Sequence, residues 1–342
     1  MNRRDLIRSI AAMALASPPG GAGASHGDRG IIMTVLGPIA PAEMGVTLPH
    51  EHLLVDFAGA EVVSPDRYDA DEVVATALPF LERVRDLGCR TLCECTPAYL
   101  ARDPQLLARL ARATGMHLIT NSGYYNANGG KHLPEHARQE SAEALADRWT
   151  AEWEDGIGGS GIRPGFLKIG VDRGPLPEIS RKLVRAAAIT HLRTGLTIAA
   201  HTGDGRAAME ELDLIEAEGV SPSAFIWVHA QSERATELHF AAAQRGAWVE
   251  FDGIAPQSID RHVELVRSLA EAGHLDRVLL SHDAGWYHVG EPGGGTFRPF
   301  DTLFTEFLPA LAREGFADTD LRRLITEHPA EAFTVRIRRA SA

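Results

Sequence analysis

Cysteine is scarce in this sequence: Cys89, Cys93 and Cys95 are the only three among 342 residues. An odd, clustered set cannot form a disulfide framework. Cys93 and Cys95 stand two apart in "TLCECT", which reads as a strand, and neighbours at i and i+2 are poorly placed to bond each other. They read as small buried hydrophobes. Positive charge is scarce too. Lys and Arg number 34 against 46 Asp and Glu, a net charge of −12, with no basic stripe or run beyond the N-terminus. That balance argues against nucleic acid or an anionic membrane as partner. No apolar run reaches the roughly 18 residues a membrane span needs. No Gly-rich phosphate turn follows the first strand candidate, which weakens a doubly wound open sheet.

What is present is a chain able to build a large core, with 44% hydrophobic and 23% charged residues. Its N-terminus differs from the rest. Arg3 and Arg4 precede an apolar stretch from Leu6 to Ala16, and Ala22-Gly23-Ala24 follows as a small-residue cleavage site. Residues 1–24 are expected to be an export signal, and "RRDLI" resembles the twin-arginine type, which implies a periplasmic location. The alternative is a frayed basic helix.

From residue 44 one pattern recurs: a short aliphatic run, then an amphipathic stretch with apolar residues at i, i+3, i+4 and i+7. Strand candidates include "TLPHEHLLVDF", "RTLCECT", "GFLKIGV", "LTIAAHTG", "FIWVHAQ", "AWVEFDGI" and "RVLLSHDAG". Helical stretches between them end at Gly88, Gly115, Gly195 and Gly246, the usual C-terminal stops. Strand–helix alternation predicts a parallel sheet, and eight rounds predict an α/β fold of the (β/α)8 TIM-barrel type, one domain over 25–342. Residues 126–163 exceed the ordinary connection and are expected to be an insertion forming a lid or extended loop.

Barrel active sites are built at the C-terminal ends of the strands. In "TLPHEHLLVDF", His50 and His52 share one strand face, with Glu51 on the other. Lys168, His201, His229 and Asp283 end the apolar runs "GFLK", "TIAAH", "IWVH" and "LLSHD". One strand-end histidine alone is usually a hydrogen-bonded core residue. Six ionisable groups on one rim are different, because burying each unpaired costs several kcal/mol. A shared cation offsets that cost. Imidazole with carboxylate suits zinc or another late first-row ion, and four His with one Asp exceed a single catalytic zinc. Two divalent ions are therefore expected, and they need a bridging anion. An ammonium among cations must be neutralised. The amine of Lys168 either takes up carbon dioxide to become a carbamate or forms a Schiff base with a carbonyl substrate. A lysine reaching to solvent is the bland third reading.

At these residues the chain resembles the phosphotriesterase-related family of the amidohydrolase superfamily. The resemblance opens with "VLGPIAPAEMGVTLPHEHLLVDF" and continues through "ECTPAYLARD", "ATGMHLITNSGYY", "FLKIG", "AAHTG", "WVHAQ", "LSHD" and "EHPAEAF", spanning residues 34–335. It implies that His50, His52 and Asp283 bind the more buried of two ions, and that His201 and His229 bind the more exposed one. Carboxylated Lys168 would bridge them. A metal-bridging hydroxide would attack an ester-like centre, Asp283 would accept and pass on the proton, and Tyr125 would stand beside the metals. A homodimer is also implied. Three departures stand out. Several members carry an arginine after the seventh strand, where this chain has "FDGIA"; the closing Asn-Pro is His328-Pro329 here; and the segment 126–163 is long.

The expected activity is hydrolysis of a lactone, carboxylic ester or phosphotriester. Tyr125, Trp286, Tyr287 and His288 are candidate pocket residues, and their aromatic character points to a small uncharged substrate. The alternatives are a Schiff-base lyase using Lys168 and a metal-bound but inactive binding protein of the cell envelope.

Overall fold

The structure is a computed structural model and describes residues 30–341; the expected export segment lies outside the described residues. A hairpin of β1 (Ile32–Thr34) and β2 (Gly37–Ile39) opens it. The ring that follows is a (β/α)8 barrel. Its parallel strands are β3 (Thr47–Val55), β4 (Thr91–Glu94), β5 and β6 (His117–Ile119, Asn121–Ser122) and β7 (Phe166–Val171). The circuit continues with β8 (Ile198–Thr202), β9 (Phe225–Val228), β10 (Trp248–Phe251), and β11 and β12 (Val278–Leu280, Gly285–His288).

Two positions in the ring are split strands. β5 pairs with β4, whereas its continuation β6 pairs with β7. Likewise β11 pairs with β10, and β12 pairs with β3, which closes the circle. The chain between β11 and β12 crosses from one neighbour to the other, and the Asp283 amide donates to the His50 carbonyl there at 3.1 Å. That crossing is the eighth strand's rim.

Helices follow the strands. They are α1 (Ala70–Asp86), α2 (Pro104–Thr114), α3 (Glu135–Gln139), α4 (Ala142–Asp155), α5 (Glu178–Thr194), α6 (Gly205–Ala217), α7 (Thr236–Arg245) and α8 (Ile259–Glu271). Three more close the chain: α9 (Leu308–Arg313), α10 (Asp318–Ile325) and α11 (Glu327–Phe333). Local chemistry sets their ends. Carboxylates of Asp69, Asp103 and Asp204 accept from the first free amides of α1, α2 and α6. Left-handed Gly115, Gly195 and Gly246 stop α2, α5 and α7.

Period-two alternation sorts the strand residues. On β7, Leu167 and Ile169 join the core beneath the helices, while Phe166 turns into the barrel with Cys93, Ile119, Ile226, Trp248 and Leu279. Ile32 from β1 and Phe333 from α11 complete that inner cluster, with Phe333 edge-on to Phe166 at 5.2 Å. The N-terminal end of the barrel is thus plugged by apolar side chains, and polar groups gather at the other end.

Residues 126–163 differ in detail from a lid. Within them α4 buries Ala142, Leu145, Ala146 and Trp149 and packs along α5 as the crossover between β6 and β7. A barrel needs a helix there, so only the stretch before α4 is additional. It is tied to the rim by Asn128 and Gly129 amides donating to Asp172.

Candidate metal centre

His50 and His52 sit within β3, both buried. The proton on each ring follows from its partners. His50 Nδ1 lies 2.8 Å from Glu250 Oε1 and 3.2 Å from Asp252 Oδ2, and carboxylates only accept, so Nδ1 carries the proton. Thr96 Oγ1 donates to the Leu54 carbonyl at 2.9 Å and therefore accepts from His52 Nδ1 at 2.8 Å. His229 Nδ1 donates to Asp252 Oδ1 at 2.6 Å. These partners place a proton on Nδ1 of all three imidazoles and leave Nε2 as the nitrogen a cation would take. His50 Nε2 and His52 Nε2 face Asp283 Oδ1 at 3.7 and 3.2 Å.

The rings form a contiguous set. His50 lies 5.3 Å from His52 and 5.1 Å from His229, and His229 lies 4.5 Å from His201, centroid to centroid. Tyr125 Oη meets His201 Nδ1 at 3.1 Å. Gly170 makes room for that tyrosine, since a Cβ there would stand 2.4 Å from its ring. Burial, then the charges of His229 and Lys168, hold His201 well below the ordinary imidazole range, so it is a neutral donor. Burial and Lys168 push His50 the same way, but Asp252 and Glu250 outweigh them and lift it to about 10. Burial would raise Asp283, yet the neighbouring histidines, His52 foremost, hold it at about 2.

Lys168 lies on β7 with its side chain buried. Its Nζ has no hydrogen-bond partner, and neither has Asp283 Oδ1, whose approach to His52 lacks hydrogen-bond geometry. Buried polar atoms are rarely left so. Two sets of donor atoms each gather within 4.8 Å: His50, His52 and Asp283, and His50, His229 and Asp252. Imidazole nitrogens with carboxylate oxygens, beside orphaned polar atoms, fit divalent cations of the zinc type.

Several contributors carry no individual signal in the sequence. Glu250 and Asp252 stand two apart on "AWVEFDGI", the same i, i+2 spacing as His50 and His52, and that repetition was the available clue. Glu51 is the second. Its oxygens accept from the Ser281 hydroxyl at 2.8 Å, from His282 N at 3.0 Å and Nδ1 at 2.6 Å, and from Ala284 N at 2.9 Å. It thereby grips the turn that holds Asp283 at φ 52°. Trp286 meets His52 at 5.1 Å, and Phe57 and His288 continue that wall, at 5.5 and 5.7 Å from Trp286. Tyr287 does not join it. On a strand its ring points oppositely, into the core toward Glu72 and Gly294.

The family model described as Phosphotriesterase family matches residues 30–333. This chain belongs to the phosphotriesterase family. A phosphotriesterase homology protein from Escherichia coli (strain K12) is 30% identical over 296 residues, covering 84% of this chain and 98% of its own length. An aryldialkylphosphatase from Saccharolobus solfataricus is 25% identical, covering 86% of this chain and 97% of its own. Among solved structures, a multiply substituted PTE-like lactonase from Deinococcus radiodurans superposes with a TM-score of 0.79 at 26% identity, over 88% of this chain and 99% of its own. The phosphotriesterase family is one of binuclear metal-dependent hydrolases, and the present member is a hydrolase of that family.

Proposed function

We propose that this chain hydrolyses a lactone, carboxylic ester or phosphotriester at a pair of divalent ions, zinc or a close relative. His50, His52 and Asp283 would hold one ion, and His201 and His229 the other. Lys168 would join them as a carbamate, formed when its amine nitrogen bonds the carbon of carbon dioxide and loses a proton. The pair would supply Lewis acidity toward the substrate's carbonyl or phosphoryl oxygen and activate the attacking water.

The rest falls to the chain's own residues. Asp252 and Glu250 fix the tautomer and aim of His50, and Asp252 does the same for His229, as outer partners of ligands do. Asp283 receives the proton released by the attacking water. Its carboxylate is kept in place by the Glu51 grip on the preceding turn. Trp286 and Tyr125 would flank the substrate, and the apolar wall limits access of bulk water to the reacting bond.

The observation that carries this reading is the buried, unpartnered Lys168 Nζ amid imidazoles and a carboxylate. Metal analysis together with a panel of a γ-lactone, an aryl ester and an aryl phosphotriester tests it. Two equivalents of metal and chelator-sensitive turnover are expected. Activity that survives chelation and is trapped by borohydride would instead assign Lys168 to Schiff-base chemistry. Bound metal without turnover on any of the three would make the protein a binder.

A further inference from the structure

Arg298 follows β12 on the rim of the site, and three contacts hold it. Its backbone pairs antiparallel with Gly285, the amides and carbonyls exchanging at 2.8 and 3.0 Å. Its guanidinium lies over the Trp286 ring, 4.9 Å from the centroid. Its Nη2 donates to the carbonyl of Asp283. Trp286 is the single ring between this cation and His52. Among the described residues Arg298 has no carboxylate within 4.0 Å, although the chain carries a net charge of −12 and most arginines on its surface are paired. The acids of its own loop are engaged elsewhere, Glu291 toward His288 at 3.8 Å and Asp301 with Arg83 at 3.2 Å.

The neighbouring rim loops repeat the pattern. Lys131 and Arg173 are likewise without ion pairs among the described residues, while the acids beside them are occupied. Asp172 accepts from the Asn128 and Gly129 amides, Asp204 from Ala207 and Gly174, and Glu233 from Gly205, Arg234 and Ala235. The acids are taken up by backbone donors, and the three cations are left without carboxylate partners. A guanidinium stacked on an indole is already ordered, so its remaining N–H pair can meet a carboxylate in two parallel bonds with little further loss of freedom.

We propose that Arg298 is a specificity residue for a substrate that carries a carboxylate remote from the scissile bond. The apolar wall takes the body of the molecule and the guanidinium takes its charged end. This replaces the uncharged substrate expected from aromatic character alone, and it rests on the ester-hydrolase reading above.

The test uses the metal-loaded full chain and two esters with one leaving group, 4-nitrophenyl pentanoate and the mono-4-nitrophenyl ester of glutaric acid. The wild type should prefer the carboxylate-bearing ester in kcat/KM by about tenfold or more, the range of one charge-assisted contact. Arg298→Met should abolish the preference chiefly through KM, whatever it does to both rates together, and Arg298→Lys should restore part of it. Binding of free glutarate, measured by calorimetry, should weaken in Arg298→Met by a like factor. Equal use of the two esters by the wild type, or a preference that survives in Arg298→Met, overturns the proposal. If neither ester turns over but glutarate binding depends on Arg298, the anion site stands and the ester reading falls.

Discussion

Lys168 Nζ is enclosed by groups that would each prefer a cation or an anion beside them, and it bonds to none of them. If its role is to supply a bridging carboxylate, removing the side chain removes the bridge and not merely one ligand. Lys168→Ala should therefore purify with neither ion, and millimolar formate or acetate should restore both by filling the space with a carboxylate; metal analysis before and after addition decides it. Full occupancy without added acid would refute the bridge. Asp283 has a different task. Asp283→Asn keeps the shape and an oxygen donor but cannot take a proton. It should retain most of its metal while kcat falls by about 10² to 10⁴, the span of general-base effects. A rate within a few-fold of wild type would place the proton transfer elsewhere.

At the scale of elements, the split eighth strand is the decisive device. β11 belongs to β10 and β12 to β3, so the four residues between them cross the seam of the barrel at the centre of the site. Asp283 takes a left-handed backbone there, and Trp286 does so again at φ 78°. Gly285 permits the crossing. It sits at φ 89°, and a Cβ on it would stand 1.8 Å from the His52 carbonyl and 2.8 Å from the Phe300 ring. No side chain can relieve a clash with backbone. Gly285→Ala should destabilise the fold by ~2 kcal/mol or more in urea unfolding. Metal affinity should fall with it, because the displaced crossing carries Asp283. A variant of unchanged stability would mean that the seam yields more easily than its packing suggests.

On the scale of the molecule, the end of the barrel opposite the site is a clasp that joins the two ends of the described chain. Val335 N donates to the Ile31 carbonyl at 2.8 Å, and Arg338 reaches Thr197, Glu331 and Thr334 beneath the strands. His191 locks this strap. Its Nδ1 donates to the Leu196 carbonyl at 2.8 Å, and its Nε2 lies 2.9 Å from Arg338 N, from which the neutral ring accepts, and 3.2 Å from the Arg338 carbonyl. Burial accordingly lowers its pKa from 6.5 to about 4. Between those values the unfolded chain binds the proton and the folded one does not, so acid favours unfolding. The contribution is complete above about pH 6.5 and is lost as pH falls toward 4, up to ~3 kcal/mol. Urea midpoints at pH 7 and pH 5 should differ in that sense, and His191→Gln should flatten the difference. An unaltered slope in that variant would assign the acid sensitivity to other groups.

Much of this architecture is local and so was readable from the chain alone. The alternation of strand and helix, the aspartate and glycine boundaries of α1, α2, α5 and α7, and the positions of His50, His52, Lys168, His201, His229 and Asp283 on barrel strands or just past their ends all follow from short-range periodicity. Closure of the ring decided the rest. Only when β10 lies against β11, and β12 against β3, do Glu250 and Asp252 meet an imidazole 200 residues away, Glu51 meet a turn 230 residues away, and Arg298 find Trp286. Those contacts are absent from every local pattern, because a polar residue on a strand has the same spacing whichever neighbour the closed sheet later sets beside it.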